Sequence, residues 1–248
     1  MTEQNAPDTA RLYAAIEATW PPAATLAAGP WTLREGAGGG MRVSAASARD
    51  AWRVDDVPAA EEAMRMMGQT PLFMIRQGDE ALDAALEQRG YRIKDPVRFW
   101  LTPVTALTDR PLPRVTAFAI WEPLAIMREI WASGGIGAAR LAVMDRVQGP
   151  KTGIFGRTGD QPAGTGFCAI DGDIAMVHAL EILERHRGKG LGKWMMRCAG
   201  HWAACNGARW MVVLCTQENR AANALYASLG FQDVGEYHYR ILPEPAED

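Results

Sequence analysis

The stretch Arg187-Gly188-Lys189-Gly190-Leu191-Gly192-Lys193 is the most informative part of this sequence. It lies between a predicted strand that ends near Leu183 and a predicted helix that begins near Leu191. The N–H groups at the start of a helix, helped by the positive end of the helix dipole, bind phosphate groups. Glycines allow close approach because they have no Cβ atom. The stretch therefore predicts a phosphate-binding loop, with an ordinary glycine-rich turn as the alternative.

Two familiar phosphate-binding motifs do not fit this loop. A Walker loop requires Ser or Thr after the lysine, and here Lys193 is followed by Trp194. The dinucleotide fingerprint GxGxxG also fails, because Gly188, Gly190 and Gly192 are each two positions apart. Neither an NTPase nor a nicotinamide-dependent dehydrogenase is supported.

The residues around the loop predict a mixed α/β (α+β) architecture. From Val115 onward, hydrophobic periodicity and turn residues predict the order β-α-α-β-β-β-α-β-α-β. The predicted helix over 191–206 has its apolar residues on one face, and Trp210–Cys215 is a continuously apolar strand. That strand must lie parallel to the strand before the loop, with the helix crossing over between them. We therefore expect a mostly antiparallel sheet flanked by helices.

Length and composition are those of an ordinary globular protein with one large or two small domains. The chain has 248 residues, of which 48% are hydrophobic and 22% charged. The proline-rich segment 102–114 is the best linker candidate, so we expect an N-terminal domain over 1–110 and a second domain over 111–248. Within the first, Met41–Ala45 is expected to be a strand.

Charge and polarity exclude several classes of partner. The net charge is −3, and no basic excess indicates nucleic acid or an anionic membrane surface. No apolar run is long enough to span a bilayer, and the first residues lack a signal-peptide core. We expect a cytoplasmic protein, either a monomer or a homodimer. The four cysteines and four histidines show no metal-binding spacing, so no metal is expected.

Two motifs together resemble the GNAT superfamily of N-acetyltransferases. Arg187-x-x-Gly190-x-Gly192 resembles that family's acyl-CoA pyrophosphate loop. Downstream, Asn219-Arg-Ala-Ala-Asn-Ala-Leu-Tyr-Ala-Ser-Leu-Gly-Phe231 is similar to the family segment N..A..LY..LGF. They are separated by one predicted helix and one strand, as in the family, and the likeness covers about 115–242. It implies a splayed GNAT sheet and acetyl-CoA as co-substrate, without a metal.

The resemblance implies roles for individual residues. Tyr226 matches the tyrosine that often protonates the departing thiolate, with an ordinary core tyrosine as the alternative. The strand before the loop would pair with the pantetheine arm of the cofactor, and the loop amides would hold its pyrophosphate. The residues expected to bind the cofactor are Leu180, Ile182, Leu183, Arg187, Gly188, Lys189, Gly190, Leu191, Gly192, Lys193, Asn219 and Ala222.

The sequence indicates the general base less clearly than it indicates the cofactor-binding residues. An amine arrives as ammonium, so a base must remove a proton before the nitrogen attacks the thioester. Where some relatives have a glutamate on this strand, the chain has Met176. His178 and Glu181 remain as candidates. Strict alternation would place His178, Leu180 and Ile182 on one face and Glu181 on the other. A buried, hydrogen-bonded histidine is the alternative for His178.

The first half contains a weak internal repeat of the second. Shifting the second half back by 140 positions places Gly230-Phe231 on Gly90-Tyr91, and Tyr226 on Leu86. No counterpart of the glycine loop exists there. The first half is therefore expected to be a smaller, degenerate partial GNAT-like unit.

The expected activity is acetyl transfer from acetyl-CoA to the amine of a small molecule or amino-acid-like acceptor. The last strand, with Tyr237 and Tyr239 on one side and His238 on the other, would border the acceptor groove in this fold. These residues would then line the substrate site, or they would simply pack at a sheet edge. A noncatalytic acyl-CoA-binding or sensing module is one alternative. A protein N-terminal or lysine acetyltransferase is another.

Overall fold

The computed structural model describes residues 6–243, which form seven α-helices and eleven β-strands. The helices are α1 (Thr9–Thr19), α2 (Val57–Met66), α3 (Glu80–Gln88), α4 (Ala125–Ser133), α5 (Ala138–Arg146), α6 (Leu191–Cys205) and α7 (Arg220–Ser228). The strands are β1 (Ala24–Ala28), β2 (Trp31–Glu35), β3 (Ser47–Ala48), β4 (Leu72–Ile75), β5 (Arg92–Pro103), β6 (Ala117–Ile120), β7 (Lys151–Thr158), β8 (Gln161–Asp171), β9 (Ile174–Ile182), β10 (Trp210–Thr216) and β11 (Gln232–Ile241).

The order of elements predicted for the second half is confirmed. From β6 to β11 the chain runs β-α-α-β-β-β-α-β-α-β. Strands β6 to β9 pair antiparallel, whereas β9 and β10 pair in parallel, with α6 between them in the chain. The single apolar face of α6 drives this crossover, because it must be buried against the sheet.

The chain forms two compact units that do not follow a single cut in the sequence. Unit 1 contains the residues up to Pro21, Phe99–Cys215 and Asn219–Val234. Unit 2 contains Pro22–Arg98, Thr216–Glu218 and the residues from Gly235 onward. A single boundary near residue 110 does not describe this division. Helix α1 belongs to unit 1 because it packs on β8 and β9.

Unit 1 has helices on both faces of its sheet. The strand order is β5-β10-β9-β8-β7-β6. Cys168 and Ile170 of β8 lie in the same core as Met195 and Cys198 of α6. Phe167, which precedes Cys168, instead contacts Trp20 at the end of α1. Because neighbouring side chains of a strand point to opposite faces, α6 and α1 cover opposite faces of the sheet.

Unit 2 is smaller and has its own core. Strands β1, β2 and β3 form an antiparallel sheet, and β4 pairs antiparallel with β11. Trp31, Phe73 and Tyr91 stack edge to face at the centre of this core. Arg240 of β11 is buried and binds Asp83 of α3 through two contacts, of 2.7 and 3.1 Å.

The strand predicted over Met41–Ala45 is wrong. This segment begins as a 3₁₀-helix over Met41–Val43. The N–H groups of Ser44 and Ala45 donate to the carbonyl of Met41, at 3.0 and 2.9 Å. Local turn hydrogen bonds here replace the ladder that a strand would need.

Candidate functional site

Strands β9 and β10 separate at the centre of unit 1. Their last parallel pair is Val177 with Val213, although β9 continues to Ile182 and β10 to Thr216. Beyond this pair, the register among the described residues gives β9 a strand partner only on the β8 side. The other edge of β9 faces the gap between the two strands. Leu180 and Ile182 lie on this stretch, and Leu183 follows it directly, as expected for the cofactor-binding strand.

A bulge lies just after the point of separation. Phe167 pairs with His178 and Thr165 pairs with Glu181, so Gly166 alone opposes both Ala179 and Leu180. Ala179 has a φ of +51°, the left-handed conformation found at many bulges. The indole Nε1 of Trp131 on α4 donates to the carbonyl oxygen of Ala179 at 2.8 Å. A side chain from another element therefore stabilises the bulge.

The bulge overturns the alternation expected along β9. Because His178 and Glu181 pair with Phe167 and Thr165, which share one face of β8, they lie on the same face of β9. Leu180 and Ile182 instead pack against the core beneath α6. Both candidate bases thus face the side covered by α1 and α4. The expectation that Glu181 lies opposite His178 is wrong, since the inserted residue shifts the alternation.

The glycine loop has the backbone conformation that an anion site requires. Gly188 and Gly190 have φ values of +71° and +80°, which favour glycine. Gly190 precedes the fifteen-residue helix α6, and no side chain caps this end. The first amides of α6, including those of Leu191 and Gly192, are therefore free of a side-chain acceptor at the positive end of the helix dipole. The side chain of Leu191 is buried in the core, so its contribution is its backbone.

Close packing joins this loop to the rest of unit 1. A Cβ atom added to Gly192 would lie 3.0 Å from Cδ2 of Leu225 on α7 and 3.3 Å from Cδ1 of Ile182. Glycine at this position therefore lets α6 start close to both β9 and α7. The packing fixes the direction in which the loop amides point.

His186, next to the loop, is a residue that the sequence did not single out. Its side chain is 8% exposed, and neither ring nitrogen has a hydrogen-bond partner in the described residues. Burial, together with the charges of Arg185 and Lys189, lowers the pKa of His186. A buried imidazole without partners is costly, and a phosphate or amide group of a ligand would supply one. This arrangement fits the binding of acyl-CoA at the loop.

Arg187 connects the loop to β9. Its Nε donates to the carbonyl of Ile182 at 2.8 Å, and its Nη2 lies 3.0 Å from Oε1 of Glu181. The Glu181 carboxylate also lies against Gly134, where an added Cβ would be 2.6 Å from its Oε2. Glu181 is thus held between the α4–α5 turn and the first residue of the loop. This ion pair supplies the partner that its carboxylate needs in an apolar strand.

Tyr226 lies in the core between α7 and β10. Burial, and then the neighbouring Cys215 thiol, raise the pKa of Tyr226 well above its usual value. The phenol therefore stays protonated at neutral pH, and burial makes it a weaker acid than an exposed tyrosine. Asn219, expected to touch the cofactor, caps α7 by accepting from the N–H of Ala222 at 3.1 Å. The motif residues Asn219 and Ala222 thus position the helix that presents Tyr226.

His178 is enclosed by residues from a distant part of the chain. It is 5% exposed, and its ring lies 5.0 Å from that of Trp20 and 6.3 Å from that of Phe167. Its Nε2 is 2.9 Å from Oγ1 of Thr19. Met176, on the same strand, is fully buried. No sequence signal pointed to Thr19 and Trp20, which precede His178 by more than 150 positions.

The two residues expected to line the acceptor groove belong to unit 2. Tyr237 and Tyr239 are buried, with their rings 5.4 Å apart and perpendicular. His238, between them, bonds Asp83 on the other face of the strand at 2.7 Å. The expected alternation along the last strand is confirmed. Within unit 1, the structure joins Glu181 to the loop and packs the loop against α7, which carries Tyr226, whereas His178 lies on the side of β9 that α1 covers.

Two further properties concern the described residues as a whole. Across residues 6–243, every helix is too short or too polar to cross a bilayer. In the same range, no three His, Cys, Asp or Glu side chains are grouped so that they could hold a metal ion.

Part of the chain matches the model of a known protein family. Residues 124–231 match the family model described as Acetyltransferase (GNAT) family. The uncharacterised N-acetyltransferase YobR of Bacillus subtilis is 45% identical over 60 residues, which are 24% of this chain and 24% of that protein. The match thus spans about a quarter of this curated relative.

Solved structures extend the likeness to the fold of nearly the whole chain. A GCN5-related N-acetyltransferase from Kribbella flavida has a TM-score of 0.69 at 18% identity, covering 95% of this chain and 96% of its own. A tandem GNAT protein from the clavulanic acid biosynthesis pathway has a TM-score of 0.57 at 14% identity, covering 81% and 76%. The fold is the mixed α/β GNAT fold, with an open, antiparallel-rich sheet flanked by helices.

Proposed function

We propose that the chain is an acetyltransferase of the GNAT family, whose model matches residues 124–231, and that it transfers the acetyl group of acetyl-CoA directly to the amine of a small molecule. One observation supports this most strongly. Strands β9 and β10 separate immediately after Val177, between the glycine loop and the segment that presents Tyr226. The gap gives an extended cofactor arm access to the edge of β9, and the loop offers amides to its phosphates.

Each of the two proton transfers in the reaction has a candidate side chain. His178, at the point where the strands separate, takes the proton of the acceptor ammonium, which leaves a neutral amine that can attack the thioester carbonyl. Tyr226, at the position that the motif resemblance assigns to the acid, gives its proton to the thiolate that departs. Glu181 aligns Arg187 and the loop through its ion pair.

Direct transfer is favoured over an acyl-enzyme by the state of the three buried thiols, whereas the exposed Cys205 lies at the end of α6 opposite the glycine loop. Cys168, Cys198 and Cys215 are buried, and burial raises the pKa of each, to about 12 for Cys198 and about 11 for Cys215. The thiolate is the nucleophilic form of cysteine, so these residues are poor nucleophiles at neutral pH.

A small acceptor fits the enclosure of His178. The ring has 5% of its surface exposed and lies against two aromatic rings. An amine must therefore enter a narrow, apolar space to reach it. A slender aliphatic or amino-acid-like amine meets this requirement better than a folded protein surface does.

The test is a screen for coenzyme A release with a library of amines, amino acids and peptides, with products checked by mass. We expect saturable release with a small amine, and loss of release when Gly190 is replaced by Val. Release with peptides alone would identify a protein acetyltransferase instead. Binding of acetyl-CoA in calorimetry with no release from any amine would identify a noncatalytic acyl-CoA module.

A further inference from the structure

The bulge in β9 lies between His178, the proposed base, and the segment 180–182 that continues toward the glycine loop. Ala179, its first residue, has a φ of +51°, a conformation that residues with a Cβ atom rarely adopt. A left-handed conformation costs free energy in alanine, so contacts with the surrounding fold must hold it. Without such contacts, the backbone of β9 would favour a regular strand at this point.

Helix α4 and the turn after it contact this part of β9 at two places. Trp131 is fully buried, and its Nε1 donates to the carbonyl oxygen of Ala179 at 2.8 Å. One turn later, Gly134 lies so close to Glu181 that an added Cβ would be 2.6 Å from Oε2 of the carboxylate. An indole N–H can only donate and a carbonyl oxygen can only accept, so the direction of the first bond is certain. Its net contribution is of the same order as the cost of a left-handed alanine, so it is sufficient to offset that cost.

The conformation of Ala179 determines which edge of β9 the following peptide groups face. The N–H of Leu183 donates to the carbonyl oxygen of Ala163 on β8 at 2.9 Å. Since the N–H groups of successive residues in a strand face opposite edges, the N–H of Ile182 faces the gap between β9 and β10. Loss of the bulge would shift the pairing by one residue and turn this N–H toward β8 instead. The bulge therefore sets the edge that β9 presents to the gap.

We propose that Trp131 is a positioning residue for acetyl transfer, because its indole N–H holds the bulge that fixes the edge of β9 along which the cofactor arm lies. This inference rests on the proposed function, in which the gap receives the arm of acetyl-CoA. The bulge lies where β9 and β10 separate, whereas the glycine loop that binds the phosphates lies farther along the chain. Trp131 therefore acts on the placement of the reacting end of the cofactor, and the loop supplies the affinity for its other end.

The experiment is a double-mutant cycle of Trp131→Phe and Ala179→Gly. Phenylalanine keeps an aromatic ring and removes the N–H donor. We expect it to lower kcat about tenfold, with KM for acetyl-CoA within about twofold, because the reacting groups are less well placed. In proteins that carry Ala179→Gly, the same change should lower kcat less than about twofold, because glycine adopts a positive φ without help. A merely structural role of Trp131 would give the same loss with either residue at position 179.

Trp31→Phe is the matched control. Trp31 is also buried, and its Nε1 donates to a backbone carbonyl, that of Asp56 in unit 2, at 3.0 Å. This variant should leave kcat unchanged. Circular dichroism shows whether each variant is folded. If Trp131→Phe does not fold, benzothienylalanine at position 131 decides the outcome, because it keeps the shape of tryptophan and has sulfur in place of the N–H.

Three results would overturn the inference. They are an unchanged kcat in folded Trp131→Phe, a loss of kcat that Ala179→Gly does not reduce, and an equal loss in Trp31→Phe. Each of them leaves acetyl transfer by the parent protein intact, so the proposed function would stand. Absence of acetyl transfer by the parent protein with every amine would instead reject the proposed function and this inference with it.

Discussion

Two segments of the molecule have the same backbone and different chemistry. Helix α3 (Glu80–Gln88) and helix α7 (Arg220–Ser228) coincide when shifted by 140 positions, and so do the starts of β5 at Arg92 and β11 at Gln232. Gly90 and Gly230, which follow the helices, have φ values of +87° and +82°. In both segments the next residue, aromatic in each, donates its N–H to the carbonyl at the corresponding helix position, Leu86 or Tyr226.

The two segments differ at the positions of the glycine loop and of Tyr226. The residues that correspond to the glycine loop are Ser47–Arg53, which contain no glycine. The helix that follows them, α2, begins at Val57, six positions later than α6 does after the same shift (191 − 140 = 51). Leu86 occupies the place of Tyr226. One scaffold therefore appears twice, and only one occurrence has the loop and the phenol of an acetyltransferase.

The two helices are also held by different bonds at matching places. In unit 1, Nε1 of Trp100 donates to Oδ1 of Asn223 at 2.9 Å. In unit 2, the positions 140 residues away are Arg240 and Asp83, which form an ion pair. A neutral hydrogen bond in one unit thus corresponds to a charged one in the other. This difference predicts that the contributions of the two bonds to the stability of the protein depend differently on pH.

The largest effect is expected from Gly190→Val. The substitution should weaken acetyl-CoA binding about a thousandfold, because it distorts a loop whose amides make several bonds to charged oxygens. Gly90→Val is the matched control, since both glycines have a positive φ and open space around an added Cβ. Both variants should lose stability, and only the first should lose affinity in calorimetry. Equal affinity losses would show that strain, and not the loop, is responsible.

Tyr226→Phe should lower kcat about a hundredfold, the range of general acid catalysis, and leave KM for acetyl-CoA nearly unchanged. The comparison is Tyr91→Phe, which removes a buried hydroxyl that bonds Glu61 at 3.1 Å in unit 2. That variant should lower the free energy of unfolding by about 1 kcal/mol and leave kcat unchanged. Both variants are compared by steady-state kinetics. An unchanged kcat in Tyr226→Phe would show that another group protonates the departing thiolate.

Arg240→Leu should destabilise the protein by about 2 kcal/mol in denaturant unfolding at neutral pH, because it removes charged hydrogen bonds from Asp83. Arg240 lowers the pKa of Asp83 below its ordinary value, so this stabilisation is present above about pH 4. It is lost as the pH falls through the folded-state pKa. Asn223→Leu should cost about 1 kcal/mol without this pH dependence. Parallel pH curves for the two variants would contradict the comparison.

The smallest effect is expected from Glu181→Gln. Glu181 and Arg187 have no charged counterparts in the other segment, where Met41 and Ser47 occupy the equivalent positions. The Arg187 side chain is 60% exposed, and such pairs contribute little. We expect kcat/KM to fall about threefold or less. A loss beyond about a hundredfold would identify Glu181 as the base and displace His178.

Local signals in the sequence were sufficient for the elements of unit 1. The periodic apolar face of 191–206 and the apolar run at 210–215 predicted α6, β10 and their parallel connection. Glycine spacing predicted the loop, whose positive φ values only glycine adopts readily. These features depend on residues that are close in the chain, so one sequence is enough to show them.

The remaining features arise from contacts that no local pattern encodes. The bulge at Ala179 depends on Trp131, and the orientation of His178 depends on Thr19 and Trp20, which come from distant positions. Strict alternation failed along β9 because one residue is inserted relative to β8. The strand predicted over Met41–Ala45 was wrong because local turn hydrogen bonds replaced the expected pairing with a neighbouring strand.

The bulge at Ala179 and Leu180 has a consequence for how such a protein can change over time. Because of the extra residue, positions 178 and 181 face one side of the sheet, whereas 180 and 182 face the other. Replacements at the first pair can therefore accumulate while the second pair keeps its packing beneath α6. A single inserted residue thus lets the two faces of β9 vary independently.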